Sequence, residues 1–278
     1  MDNFKIYTIR CLTNMHVGSG DASYTLIDNQ VQRDVITGFP TINSSSLKGS
    51  LRSFLKDEID KEKIKDIFGD EEKGIGKYKI FPGMLLSIPV RSNVKPFFRA
   101  TCPRIVKDFL EFIENFQSEK ECIQDIGSLK ADLKKFEEEA DENKNGIWIL
   151  KNFNSDIDVE AMKNLTVEEI GTKLTKEISF ENEDKIKKIF GESLILIDDN
   201  SFSEIVDRLP VIARNKLDNG ESENLWYEEV VPRETRFYFG VVLGKEHQSE
   251  FGKIEGKQPV QIGGNATIGY GYCDIKSI

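Results

Sequence analysis

The residues best suited to chemistry crowd into one stretch, His16 to Arg52, HVGSGDASYTLIDNQVQRDVITGFPTINSSSLKGSLR. Ser44, Ser45 and Ser46 lead into a segment of helical period in which Lys48 and Arg52 fall one turn apart. A helix that starts this way presents hydroxyls, unpaired backbone N–H groups and two positive charges together, a combination that suits a phosphate. An ordinary capped surface helix carries the same pattern, and both readings stand. Ahead of it, Asp28 and Asp34 lie in a loop, where each can coordinate a divalent cation, position a ribose hydroxyl or close a turn. His16 precedes Gly18-Ser19-Gly20, and His16 and His247 are the two histidines of the chain. Any Ser-His-Asp or Cys-His system has to use one of them. G-x-S-x-G, H-E-x-x-H and GxxxxGK[ST] motifs are all absent, which excludes the hydrolase and NTPase readings built on them.

A second candidate surface lies near the C-terminus, in IGGNATIGYGY from Ile262 to Tyr272. Glycines such as Gly263, Gly264 and Gly269 let a polyanion backbone approach closely, and they equally make a tight turn. The segment precedes a strand, so it is not the dinucleotide fingerprint that follows one into a helix. Trp226 and Tyr227 can stack on bases or pack in a core.

The elements that position these residues follow from periodicity. Phe4 to Cys11 alternates as a strand. Asn43 or Ser44 is a candidate N-cap for a helix whose Leu47, Leu51, Phe54, Leu55 and Ile59 face a core. Residues 57–79 read as a charged helix end and loop, and residues 80–90 and 97–102 as strands. Lys/Glu-rich helix is expected from 105 to about 139 and again over 155–190, with short strands at 147–150 and 194–197. Two extended arms around Asp218-Asn219-Gly220 predict a hairpin at about 211–231, followed by a strand from Arg236 to Leu243. This order suits an α+β protein with helices on one face of an antiparallel sheet. No Pro/Ser-rich linker divides it, so one elaborated domain is expected.

At 278 residues the chain can bury a full core, and 38% hydrophobic with 31% charged residues describes a globular protein. No apolar run reaches the roughly 18 residues of a membrane span, and MDNFKIYTIRCL has no signal-peptide character. Four scattered cysteines suit a reducing cytoplasm and give no zinc spacing. A net charge of −10 argues against a generic nucleic-acid binder. The distribution is uneven, however. Residues 81–107 hold Arg91, Lys95, Arg99, Arg104 and Lys107 and no acid, which leaves room for a local basic groove on an acidic body.

Several blocks, in this order, carry a resemblance. They are HVGSG from His16, IDNQVQRDVITGFPTI from Ile27, SSLKGSLR from Ser45, PVRS from Pro89, TCP from Thr101, LWYEEVVP from Leu225 and IGGNATIGYG from Ile262. With them the chain resembles the RAMP superfamily of CRISPR effector proteins, and most closely the repeated backbone subunit of type III-B (Cmr) complexes. It departs from the family pattern at Ser44, where glycine is common, and at Pro82-Gly83, where an Asp-Ala pair is common.

The resemblance implies a modified ferredoxin-like, RRM-like palm spanning 1–278, with helical insertions at about 57–79 and 105–190 and a β-hairpin thumb at about 211–231. It implies that Ser45, Ser46, Lys48 and Arg52, with Arg91, Ser92, Gly263, Gly264, Thr267 and Gly269, bind guide crRNA. Copies would stack into a helical filament with other Cmr subunits, in the cytoplasm and without a membrane. Asp28 would be the catalytic and metal-binding residue for cutting target RNA with a divalent ion, Mg or Mn, and His16 and Glu228 would be further catalytic candidates. The reaction implied is attack of a target 2′-hydroxyl on the adjacent phosphate, leaving a cyclic phosphate. Alternatives of the same kind are a scaffold that does not cut, a type III-A backbone subunit and a guide-processing endonuclease.

Overall fold

The computed structural model describes residues 3–20, 26–116, 126–142, 146–150, 165–168, 170–172, 174–219 and 221–278. Its organising strand is β1 (Phe4–Cys11), whose alternation sends successive side chains to opposite faces. Tyr7 stacks on Phe239 at 5.2 Å and meets Phe251 on one face, while Phe4 packs on Phe112 and Phe116 on the other. Each face therefore acquires its own aromatic cluster, and each cluster holds a helical layer.

Along the main path of the sheet run β2 (Gly83–Val90), β3 (Phe98–Thr101), β4 (Gly146–Leu150), β5 (Leu174–Ile178) and β6 (Leu194–Leu196), with the short strands Thr41–Ile42 and Lys79–Ile80 paired off that path. After a separate hairpin, β7 (Val211–Asp218) and β8 (Glu221–Glu229), come β9 (Arg236–Val242), β10 (Val260–Gln261) and β11 (Tyr272–Ser277). The spatial order is β5-β4-β6-β3-β2-β9-β1-β11-β10. β1 pairs antiparallel with β9, Phe4 opposite Val242, and with β11, Cys11 opposite Cys273.

On the Tyr7 face lie α1 (Ser44–Lys56), α2 (Lys61–Phe68) and the short α7 (Gln248–Phe251). Leu47, Leu51 and Leu55 are completely buried, one turn apart, as the period predicts. On the Phe4 face lie α3 (Pro103–Phe116), α4 (Ile126–Glu142) and α5 (Glu183–Phe190). Proline opens α3, where its missing N–H costs no hydrogen bond. α6 (Asp199–Val206) has a true side-chain cap, Asp198 accepting from Asn200 and Ser201.

Four expectations are corrected. Helices cover both faces of the sheet, because both faces of β1 are apolar. The sheet is mixed, since β5 runs parallel to β4 and β6 parallel to β3. The charged stretch 57–79 contains a full helix, α2, followed by a two-stranded ribbon at Gly69–Asp70 and Gly74–Ile75. Residues 166–178 contribute strands where Lys/Glu-rich helix was expected, and the helix there is confined to α5. Residues 155–164 of that expected helix lie outside the described residues.

Candidate functional site

The hairpin stands on the loop that carries Asp28. Asp28 and Asn29 donate their backbone N–H groups to the Tyr227 carbonyl at 3.0 and 3.1 Å, and the Tyr227 N–H donates back to Asp28 Oδ2 at 2.8 Å. A parallel bridge joins Asn29 to Glu228, and the Glu229 N–H donates to the Asn29 carbonyl at 2.9 Å. Asp28 is thus an exposed carboxylate fastened through one oxygen to the base of the hairpin, and among the described residues Oδ1 has no hydrogen-bond partner. Asp34 has the other role open to it. Its Oδ1 accepts from the Thr37 N–H at 2.8 Å and from the Thr37 hydroxyl at 2.9 Å, closing the turn before Pro40.

The two neighbouring glutamates lock the base. Glu229, buried, accepts from the Val31 N–H at 3.0 Å and pairs with Arg33 at 2.6 Å, which pins the Asp28 loop to the hairpin. Glu228, only 3% exposed, forms an ion pair with Arg214 across the hairpin and accepts from Asn265 Nδ2 of the glycine segment at 2.6 Å. The Arg214 guanidinium also lies 4.8 Å over the Tyr270 ring.

His16 is buried at the same junction. Its Nδ1 lies 2.7 Å from the Glu229 carbonyl, which can only accept, so that nitrogen carries a proton. Nε2 then faces Glu228 Oε1 at 3.5 Å.

The glycine segment docks on His16 as well. The Gly264 N–H donates to the His16 carbonyl at 2.8 Å, and a Cβ on Gly263 (φ +87°) would overlap that same carbonyl oxygen. Thr267 and Gly269 are exposed on the far side of this turn.

The start of α1 is joined to the junction by Gln32. Its amide donates to the Gly18 carbonyl at 3.1 Å and to Ser46 Oγ at 3.0 Å, and its oxygen accepts from the Asn43 N–H at 2.7 Å. Asn43 is the N-cap by position but makes no side-chain capping bond. Ser45 is exposed, and Lys48 and Arg52 are half-buried without an ion-pair partner among the described residues. Arg52 Nε is buried and unpaired. Lys48 and Arg52 lie about one and two turns into α1, so two cations without an ion-pair partner share one side of the helix.

Arg91 and Ser92 are not brought beside Lys48. They follow the last residue of β2, whereas the Thr41–Ile42 segment leading into α1 pairs with its first two residues. At 3.3 Å per residue that separation is roughly 25 Å along the strand. Arg91 pairs there with Glu168, and Ser92 bridges to Val167. Sequence reasoning overlooked Gln32, Arg33, Arg214, Glu229 and Asn265. The one available signal was the Glu228-Glu229 pair, two adjacent acids within an otherwise aromatic and aliphatic run.

A sheet with helices on both faces, a hairpin fastened to an aspartate loop and a glycine turn docked beside a cationic helix start define the class. The chain belongs to the RAMP superfamily, whose model matches residues 8–274. Within it, the chain is 31% identical over 288 residues to the CRISPR system Cmr endoribonuclease Cmr4 of Pyrococcus furiosus, covering 95% of this chain and 92% of that protein. It is 25% identical over 299 residues to the CMR subunit Cmr4 of Saccharolobus solfataricus, covering 98% and 96%. Among solved structures, the type III-B Cmr-beta complex bound to cognate target RNA contains a chain of the same fold, with a TM-score of 0.79 and 24% identity over 99% of this chain and 96% of that one. Oligomeric Cmr4 from Pyrococcus furiosus matches with a TM-score of 0.69 and 24% identity, covering 99% and 98%.

Proposed function

We propose that this protein is the repeated backbone subunit of a type III-B RNA-guided effector complex and that it cleaves target RNA. The full-length likeness to a Cmr endoribonuclease supports the class. The observation that carries the reading is the fastening of Asp28 to Tyr227, which fixes a solvent-facing carboxylate to the base of the hairpin.

In this reading the start of α1, with Ser45, Ser46, Lys48 and Arg52, holds the guide crRNA by its phosphates, beside the glycine turn of Gly263, Gly264, Thr267 and Gly269. Arg91 and Ser92, roughly 25 Å away along β2, contact the same strand only if it runs extended across the sheet. The hairpin displaces a base pair of the guide–target duplex and turns the target backbone towards in-line geometry, a positioning effect. The O2′–P bond forms as the P–O5′ bond breaks. The 2′-hydroxyl proton passes to a water beside Asp28, and one is returned to the leaving O5′ from solvent.

His16 and Glu228 act by position. Glu228 is buried and occupied by Arg214 and Asn265, and His16 braces the glycine turn against the hairpin. A hard divalent ion, Mg or Mn, fits Asp28. Such ions take one or two carboxylates and complete their shell from phosphate and water, and among the described residues one Asp28 oxygen is open. When bound, the ion would supply charge neutralisation at the phosphate. The other cluster with ligand spacing, Asp66, Glu246 and His247, contains no residue of this site, and Lys73 and Lys77 already pair with its carboxylates at 2.9 and 2.8 Å.

The partners in this reading are guide crRNA, target RNA, further copies of the chain and the other Cmr subunits, in the cytoplasm. Among the described residues no helix is long and apolar enough to cross a membrane. Negative-stain imaging of the protein with guide RNA should show helical filaments, and the assembled complex should cut target in Mg or Mn and stop in EDTA. Monomeric particles, or cutting that persists in EDTA, would refute the reading.

A further inference from the structure

The Phe4 face of the sheet holds an unexplained concentration of positive charge. Arg10 on β1 and Arg236 on β9 are directly opposite each other, a cross-strand placement that like charges disfavour. Arg99 on β3 joins them. One carboxylate, Glu234, serves two of the three. Arg10 Nε and Nη2 donate to it at 3.1 and 2.8 Å, and Arg99 Nη2 donates to it as well.

Arg236 is left with carbonyl oxygens, donating from Nη1 to that of Lys188 at 2.7 Å. The Nε atoms of Arg236 and Arg99 are buried without any hydrogen-bond partner. Burial first, and the neighbouring Arg99 and Arg10 charges second, pull the Arg236 guanidinium down to about 10.

This cluster opens into a cavity of about 690 Å³ between β1, β9 and β11 and the helices α4 and α5. Arg10, Arg236, Lys185, Lys188 and Lys276 line it against a single carboxylate, Asp274. An adjoining recess of about 490 Å³ reaches Arg99 and Lys187, with the carboxylates of Asp184 and Glu192 on its rim. Leu129 and Ile189 back the cavity but are themselves buried, which leaves half-buried Ile278 as the apolar side chain open to it. Guanidinium donors and ammonium point charges together suit a phosphate.

From this arrangement we infer that the cavity between the β1–β9–β11 face and helices α4 and α5 is a binding site for the phosphate group of a small molecule. The phosphate lies against Arg236, Lys188 and Lys276, beside Arg10, whose fork Glu234 already holds. The site is separate from the RNA-facing surface. Thr8 and Arg10 point to the Phe4 face of β1, whereas α1, with Lys48 and Arg52, packs on the Tyr7 face.

The test is calorimetric titration of the full chain with inorganic phosphate, AMP and ATP. Saturable one-to-one binding is expected for all three, since each carries the phosphate group that the cavity recognises. Lys188→Glu should weaken it by about tenfold or more, since a charge is reversed at the ligand, and Lys276→Glu serves if the first variant does not fold. The double variant Lys48→Glu/Arg52→Glu should bind the nucleotide like the parent. Absence of saturation at millimolar ligand overturns the inference. So does loss of nucleotide binding in the Lys48/Arg52 variant alone, or a fall in guide RNA affinity in Lys188→Glu as large as the fall in nucleotide affinity. The last result would assign the cavity to an RNA strand.

Discussion

Replacing Gly263 by alanine separates a docked glycine turn from a merely flexible one. At φ +87° an alanine carries about 1–2 kcal/mol of backbone strain. Its Cβ would also overlap the His16 carbonyl oxygen, which accepts the Gly264 N–H at 2.8 Å. Moving the turn to relieve the overlap sacrifices that hydrogen bond, worth about 1 kcal/mol. The sum is about 2–3 kcal/mol, or a fall in Tm of roughly 4–12 °C for a chain of this size.

Gly264, the adjacent residue, supplies the control. A Cβ there meets nothing closer than the His16 oxygen at 3.8 Å, and its φ lies outside the left-handed region. Gly264→Ala should leave the melt unchanged to within about 0.5 kcal/mol, or raise it slightly by restricting the unfolded chain. Thermal unfolding followed by circular dichroism reads both variants. Equal shifts, or a larger effect at Gly264, would show that the turn is not held on His16 as described.

Two further outcomes follow from charge. Lys48→Glu/Arg52→Glu should lower guide RNA affinity and reduce the salt slope of binding by about 1–2, read by filter binding across a salt series; an unchanged slope would remove these residues from the phosphate contacts. Burial alone would raise the Glu234 carboxyl, but hydrogen bonds from Arg10 and Arg99 outweigh it and hold the group below the usual carboxylate range. A depressed folded-state value contributes stability above the unfolded value of about 4.3, and that stability is lost as pH falls through the folded value. Melting temperature should therefore drop on acidification below about pH 4.3, and Glu234→Gln, less stable at neutral pH, should show a flatter profile there. Parallel profiles would contradict the pairing.

Local pattern was legible where local forces decide. The alternation of Phe4 to Cys11, the Leu47–Leu51–Leu55 stripe and the hairpin around Asn219 stand as the sequence indicates. Leu174–Ile178, LTKEI, carries too few apolar residues to declare a strand, and it becomes one by pairing in parallel with β4. The candidate site divides the same way. Lys48 and Arg52 are visible as an i, i+4 pair. The burial of Glu228 is not, because its partners Arg214 and Asn265 come from the far strand of the hairpin and from the glycine turn, 14 and 37 residues away. The Arg10–Arg99–Arg236 cluster forms from three strands of different chain regions, so no window of sequence contains it.

The most direct test of the central claim is target cleavage by a complex assembled with Asp28→Asn. Asparagine keeps an oxygen to accept the Tyr227 N–H, so the loop stays on the hairpin while the carboxylate charge is removed. Guide and target binding should match the parent, and cleavage at every interval should fall by about 10²–10⁴-fold. A full ladder of products at the parent rate, with binding intact, would show that Asp28 does not carry the reaction.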